Sequence, residues 1–122
     1  MKSEVNDRPM SGLVDTRANR SLIDIDWLNK DFTEVERRYL DRHCKSDRKL
    51  NIFDAQGNRI DIVSSYILNV RHSLSNTRRA VFDVWSDGKY IIGTNVLKQL
   101  HIAIVFDKDS FYFYFRNKFS RV

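Results

Sequence analysis

The chain has 122 residues, a net charge of +5 and a pI near 9.5, with 30% charged and 42% hydrophobic residues. These values are typical of one globular domain, and they exclude an intrinsically disordered or low-complexity protein. A single cysteine, Cys44, excludes an internal disulfide framework and a cysteine-based zinc site. We expect a soluble, cytoplasmic protein, because no apolar run is long enough to span a bilayer and the first ten residues lack the apolar segment of a secretory signal. A domain cut from a longer precursor would have the same features.

The N-terminal residues 1–20 are polar, carry mixed charge and show no periodicity, which predicts a flexible arm. Residues 21–122 are predicted to form a single α+β domain. Within it, Thr33 and Glu36 have the spacing of a capping box, which predicts a helix that begins at Trp27 or Thr33 and ends near Lys45. The side chains expected on its buried side recur at helical spacing: Phe32, Val35, Tyr39 and Leu40.

The next segment is predicted to be a small hairpin, in which residues 50–53 and 59–63 flank a turn. Asp54 is a favourable first turn residue, and Gly57 suits the left-handed position. Residues 64–74 fit either a helix capped by Ser64 or a strand, and we favour the helix because Ile67 interrupts the strand alternation.

Two hairpins are predicted in the C-terminal half. In the first, residues 80–85 and 90–94 flank Asp87-Gly88, a dipeptide typical of a type I′ turn. One helical turn is expected at residues 95–100. In the second hairpin, we expect three facing pairs, which are Phe106 with Phe111, Ile104 with Phe113 and Ile102 with Phe115.

These elements predict an α+β fold with an N-terminal helix packed on a four- to six-stranded antiparallel sheet. The element order from Trp27 to Phe115 resembles the cone-shaped NTF2-like domains, and this resemblance implies a long helix lying across a curved sheet. That architecture includes enzymes, carriers and dimerisation modules, so the resemblance does not assign a function.

The strongest functional pattern is a set of basic residues near two tyrosines, without a complete catalytic constellation. It predicts a small basic, non-enzymatic binding or regulatory protein that contacts nucleic acid or an acidic protein. No cofactor or metal is predicted. We also expect a homo-oligomer or a hetero-complex formed through the apolar last strand, residues 111–116. The predicted binding residues are Arg37, Arg38, Arg42, Lys45, Arg48, Lys49, Arg71, Arg78, Arg79, Tyr112, Tyr114 and Arg116.

Two alternatives remain open. His72 and His101, with Arg71 and Lys98, would suit a metal-independent ribonuclease, because imidazoles transfer protons near neutral pH and cations stabilise the phosphate charge. The other alternative is an NTF2-like ligand pocket inside the curved sheet, lined by Phe82, Trp85, Ile104 and Phe113.

Overall fold

The computed structural model describes residues 1–46, 52–54, 56–73 and 75–115. This part of the chain contains eleven strands and three short helices. The strands, numbered along the chain, are β1 (Lys2–Val5), β2 (Arg8–Ser11), β3 (Leu13–Val14), β4 (Ser21–Asp24), β5 (Ile52–Phe53), β6 (Arg59–Ile60), β7 (Ser64–Arg71), β8 (Arg78–Trp85), β9 (Ile91–Ile92), β10 (Ile102–Asp107) and β11 (Ser110–Phe115). The helices are α1 (Ile25–Asp31), α2 (Glu34–His43) and α3 (Thr94–Gln99).

Seven strands form the main sheet, in the order β2-β1-β7-β8-β4-β9-β3. Two of its pairings are parallel, β4 with β8 and β3 with β9, and the others are antiparallel. The predicted helix on an antiparallel sheet, including its NTF2-like version, is therefore wrong. The molecule is mostly sheet, and its helices are short connections rather than a covering layer.

The main sheet curls into a nearly closed barrel because its two edge strands are consecutive in the chain. Only Gly12 separates β2 from β3, and its N–H donates to the Met1 carbonyl at 2.9 Å. The next N–H, of Leu13, donates to the carbonyl of Tyr90, directly before β9 at the opposite end of the sheet from β2, also at 2.9 Å. A Cβ on Gly12 would lie 2.6 Å from the Cδ1 of Ile92, so this corner requires glycine. Residues 1–20, for which we predicted a flexible arm, thus contribute three strands.

The barrel interior is filled by side chains from alternate strand positions and from the helices. Along β7, Tyr66, Leu68 and Val70 are buried, and on the facing strand β8 so are Phe82 and Val84. Other members of the same core are Val5, Ile23, Leu28, Phe32, Leu40, Ile92, Val96 and Leu100.

The capping box is confirmed at the start of α2. The Thr33 hydroxyl accepts from the Glu36 N–H, and the Glu36 carboxylate accepts from the Thr33 N–H at 3.0 Å. That backbone bond, together with Arg8, lowers the pKa of Glu36. The predicted buried side is only partly confirmed, because Phe32 and Leu40 are buried whereas Val35 and Tyr39 are largely exposed.

The predicted hairpins have different outcomes. The pairing of β5 with β6 is confirmed, with Gly57 at a φ of 85°, and so are all three facing pairs of β10 and β11. The hairpin predicted between β8 and β9 is wrong, because β4 lies between these two strands. The helix favoured for residues 64–74 is also wrong, since Ser64–Arg71 is strand β7. The helical turn predicted near residue 95 is confirmed as α3.

None of the described helices is long and apolar enough to cross a lipid bilayer.

Candidate active site

The six-residue loop 15–20 joins β3 to β4, and we call it the Asp15 loop. Its first residue is fixed to the sheet, because the Asp15 N–H donates to the Ile92 carbonyl of β9 at 3.0 Å. Its backbone then turns back on itself, with the Ala18 N–H donating to the Asp15 carbonyl at 3.2 Å. The chain therefore leaves one barrel strand, makes a tight loop and re-enters the barrel two strands away.

The start of α3 holds the middle and the end of the Asp15 loop. Thr94 donates its N–H to the Ala18 carbonyl at 2.8 Å, and Gly93 donates its N–H to the Ser21 hydroxyl at 2.9 Å. The Ser21 hydroxyl donates in turn to the Asn95 side chain, whose amide donates to the Val81 carbonyl, both at 2.8 Å. These bonds connect the loop, α3 and β8 into one unit, and Ser21 at its centre is fully buried.

A buried ion pair anchors the end of the loop. The Arg20 guanidinium donates two hydrogen bonds of 2.6 Å to the two carboxylate oxygens of Asp83 on β8. Ser65 on β7 donates a third bond, also of 2.6 Å, to the same carboxylate. The hydrogen bond to Asp83 raises the pKa of Arg20. Because Asp83 is 1% exposed and both of its oxygens are occupied, its role is to fix the loop, and it is unsuited to proton transfer.

The Asp15 carboxylate is differently placed, because it is accessible as well as positioned. Its side chain is 36% exposed, and its Oδ1 atom accepts the Arg17 N–H at 3.0 Å. The Arg17 guanidinium lies near the same oxygen, with its Nε at 3.6 Å, but that side chain is 84% exposed. Asp15 thus combines a fixed backbone, an oriented carboxylate and access from solvent, which are the properties of a group that acts on a ligand.

Two other carboxylates lie close by in the sequence. Asp24 is half-buried at the end of β4, where it is the N-cap of α1, and Asp26 is exposed in the first turn of that helix. The Asp24 side chain makes no capping hydrogen bond. In the described part of the chain, no group of three or more His, Cys, Asp and Glu side chains has a geometry suited to a metal ion.

The architecture is that of the retroviral protease-like proteins. The protease of EIAV, solved in complex with an inhibitor, matches 87% of this chain and 90% of its own at a TM-score of 0.59 and 16% identity. The retroviral protease-like domain of Ddi1 from Leishmania major matches 90% of this chain and 87% of its own, at a TM-score of 0.55 and 17% identity. No family model and no curated protein sequence matches the chain. These likenesses define the fold class, a retroviral protease-like barrel.

This fold overturns the predicted function. A binding or regulatory protein for nucleic acid or an acidic partner was expected from a basic helix lying over a sheet, and that arrangement is absent from the described structure. The NTF2-like pocket is overturned by the same finding, because it was built on the wrong architecture. The ribonuclease, which was inferred from histidines and nearby cations, is also contradicted, since the fold is retroviral protease-like.

The predicted binding residues are dispersed over several elements. Arg37, Arg38 and Arg42 lie on α2, Lys45 follows it, Arg71 lies on β7, Arg78 and Arg79 lie on β8, and Tyr112 and Tyr114 lie on β11. Some of the positive charge is paired, since Arg38 binds Glu34 and Arg71 binds Glu4, while Arg37 donates to the Asn29 side chain. Arg48, Lys49 and Arg116 lie outside the described residues. Whether any of these residues contacts a ligand stays a prediction.

The residues of the predicted ribonuclease site lie around the root of the last hairpin. His72 packs on Phe115 with ring centroids 4.5 Å apart, and its partial burial lowers its pKa. His101 lies between α3 and β10 at a left-handed φ of 57°, and Lys98 is exposed on α3. His72 therefore forms part of a packed joint between β7 and β11, which accounts for its burial without a catalytic role.

Proposed function

We propose that this protein is a peptidase of the aspartic type, active as a homodimer in which each copy contributes its Asp15. The observation that carries the proposal is the placement of Asp15, which is accessible and rigidly held, in a fold shared with a viral protease over most of both chains. The substrate class is an extended peptide.

The proposal requires two copies because aspartic proteases act with two carboxylates that share one proton. Asp15 is the only residue of its loop with a carboxylate. Both carboxylate oxygens of Asp83 are already hydrogen-bonded to Arg20 or Ser65, so Asp83 does not supply the second group. A second copy of the chain supplies a second Asp15, which completes the pair of carboxylates without any rearrangement of the fold.

The mechanism follows from the shared proton. The ionised carboxylate removes a proton from a water molecule, whose oxygen attacks the peptide carbonyl carbon, while the protonated carboxylate gives its proton to the carbonyl oxygen. The tetrahedral gem-diol intermediate collapses when the carboxyl that took the proton from water gives it to the amide nitrogen and a gem-diol hydroxyl gives its proton to the other carboxylate; the C–N bond breaks, an amine and a carboxylic acid are released, and the pair again holds one proton. The bonds that fix the Asp15 loop stabilise this geometry, since a displaced carboxylate loses its alignment with the reacting atoms.

The test is cleavage of an unfolded protein mixture at mildly acidic pH, with new N-termini identified by mass spectrometry. Asp15→Asn is expected to lower kcat/KM by about 1,000-fold or more, because it removes the group that accepts and donates the proton. Asp24→Asn is the matched control, as it changes a neighbouring aspartate in the same way and is expected to leave cleavage unchanged. Equal cleavage by wild type and Asp15→Asn would refute the proposal.

A mixing experiment tests whether the site is shared between copies. When wild type and Asp15→Asn are refolded together in equal amounts, only about a quarter of randomly formed dimers contain two intact carboxylates. We therefore expect activity per wild-type chain to fall to about half. If the activity per wild-type chain is unchanged by mixing, the site is complete within one copy.

Arg17 is expected to restrain the activity. Its guanidinium Nε lies 3.6 Å from Asp15 Oδ1, where it competes with the reacting water and the substrate carbonyl for that oxygen. Because the pair is largely exposed, Arg17→Gln is expected to raise kcat/KM by only about 2- to 5-fold. Arg38→Gln, which removes another exposed guanidinium bound to a carboxylate, is the control and is expected to have no effect on cleavage. A fall in kcat/KM for Arg17→Gln would contradict this prediction and show that Arg17 assists cleavage.

A further inference from the structure

The guanidinium of Arg17 lies at the candidate active site and is held there only loosely. Its Nε is 3.6 Å from Asp15 Oδ1, which is too long for a hydrogen bond, and the side chain is 84% exposed. Among the described residues, Asp15 is the only carboxylate at ion-pair distance from this guanidinium. Arg17 can therefore turn from Asp15 to a carboxylate that belongs to a ligand.

Arg17 differs in this respect from the other arginines that form ion pairs in the described part of the chain. Each of those four donates a side-chain hydrogen bond to its carboxylate: Arg8 to Glu36, Arg20 to Asp83, Arg38 to Glu34 and Arg71 to Glu4. In Arg17 the group that binds Asp15 Oδ1 is the backbone N–H, at 3.0 Å. The loop geometry is thus fixed by the backbone, and it does not require the guanidinium.

Apolar side chains lie beside Asp15 on the same face of the sheet. Leu13 on β3 is paired with Ile91 on β9, and the Asp15 N–H continues this ladder by donating to the Ile92 carbonyl. Because side chains alternate between the two faces of a strand, Leu13 and Asp15 share a face with Ile91, whereas Ile92 packs into the core. Leu13 is 64% exposed. A peptide bound over Asp15 therefore meets an apolar surface next to the cation of Arg17.

The position of Arg17 places its guanidinium within reach of the residues that flank the scissile bond. A catalytic carboxylate oxygen lies about 3 Å from the atom with which it exchanges a proton, and successive residues of an extended peptide are about 3.3 Å apart. A guanidinium can bind a carboxylate through two parallel hydrogen bonds. An acidic side chain next to the scissile bond would bind Arg17 in this way and remove its competition for Asp15 Oδ1.

We propose that Arg17 makes the site selective for peptides that carry Glu or Asp next to the scissile bond. The inference rests on the proposed function, because it names the substrate class of the same site. In the homodimer each copy contributes one Arg17, so an acidic residue is accepted on either side of the bond. The ion pair is exposed to solvent, and it therefore supports a preference of about 5-fold.

Two synthetic apolar peptides that differ only in Glu or Gln beside the scissile bond measure the selectivity. At a pH of about 6, where Glu is ionised, we expect wild type to cleave the Glu peptide with a kcat/KM about 5-fold higher. Arg17→Gln is expected to bring the two values within about 2-fold, mainly by raising that of the Gln peptide. Arg17→Glu is expected to favour a Lys peptide over the Glu peptide.

Arg38→Gln is the matched control for the net charge of the protein. It removes one exposed guanidinium, as Arg17→Gln does, but at a distance from Asp15 in the sequence and on a different element, α2. We expect Arg38→Gln to leave the preference for the Glu peptide unchanged. The proposal is overturned if wild type cleaves the two peptides equally well, or if Arg17→Gln retains the preference.

A binding measurement separates this inference from the proposed function. Fluorescence anisotropy of the same labelled peptides with Asp15→Asn requires no cleavage, and the Glu peptide is expected to bind about 5-fold more tightly than the Gln peptide. This difference is expected to disappear when Arg17→Gln is added. Selective binding without cleavage by wild type overturns the proposed function alone, whereas cleavage without a preference for Glu overturns the role of Arg17 alone.

Discussion

Asp83→Ala is expected to lower the free energy of unfolding by about 3 kcal/mol or more, because removing one partner of a buried ion pair leaves the other uncompensated. The Arg20 side chain is only 15% exposed, and both of its bonds to Asp83 would be lost together with the bond from Ser65. Urea denaturation of purified protein measures the effect, with the slope of the transition checked for a change in denatured-state exposure.

The exposed pair of Glu34 and Arg38 provides the comparison for this prediction. It has the same 2.6 Å separation as the Arg20–Asp83 contact but lies on the surface of α2, so Glu34→Ala is expected to cost less than about 0.5 kcal/mol. In a double-mutant cycle, Asp83→Ala combined with Arg20→Ala is expected to cost less than the sum of the two single changes. The prediction is contradicted if Asp83→Ala costs no more unfolding free energy than Glu34→Ala. Arg20 and Asp83 are not coupled if the cost of the double mutant equals the sum of the two single changes.

Local sequence patterns predicted the elements that are stabilised by their own neighbours. The capping box of Thr33 and Glu36 located α2, and the turn from Asp54 to Gly57 located the β5–β6 hairpin. The register of β10 with β11 followed from the length of the loop at residues 107–110. In each case the interacting residues are close in the chain, so the pattern contains the interaction that forms the element.

The main sheet could not be predicted in this way, because its decisive pairings are distant in sequence. Strand β4 inserts between β8 and β9 through a parallel pairing with β8, and no periodicity in residues 80–94 indicates this. The same distance explains the error at β7. Its Ile67 breaks the strand alternation, because its half-buried side chain lies on the face opposite to Tyr66 and Leu68, while its N–H donates to the Cys44 carbonyl at the edge of β7 at 2.7 Å.

The candidate site was missed because it lies in a segment too short for periodicity to detect. Only Leu13 and Val14 form the strand before Asp15, whereas alternation becomes informative over four residues or more. A signal was nevertheless present further along the chain. Ile91, Ile92 and Gly93 precede a helix, and a glycine directly after a buried apolar pair indicates close approach of another backbone segment. The sequence does not identify that segment as the Asp15 loop.

The requirement for glycine at residue 93 links the stability of the barrel to the geometry of the site. A Cβ on Gly93 would lie 2.3 Å from the Arg20 carbonyl oxygen and 2.9 Å from that of Ala18, and both atoms belong to the backbone of the Asp15 loop. Neither can rotate away as a side chain would, so relief of the clash requires the loop to move. Gly93→Ala is therefore expected to cost about 3 kcal/mol of unfolding free energy, at the upper end of overpacking effects.

We expect Gly93→Ala to displace the Asp15 loop within the folded protein, in addition to destabilising the fold. Trypsin cleavage after Arg20, which is mostly buried and bound to Asp83 in the wild type, should become faster in Gly93→Ala, and peptide cleavage by the folded variant should fall by about 100-fold. Gly88→Ala is the control, because its Cβ would meet no atom within 4 Å, and its φ of 78° makes the change costly by about 1 kcal/mol without touching the Asp15 loop. If Gly93→Ala is less stable but trypsin cleaves it after Arg20 no faster than the wild type, then α3 moves to relieve the clash. The close packing of Gly93 would then stabilise the barrel without fixing the Asp15 loop.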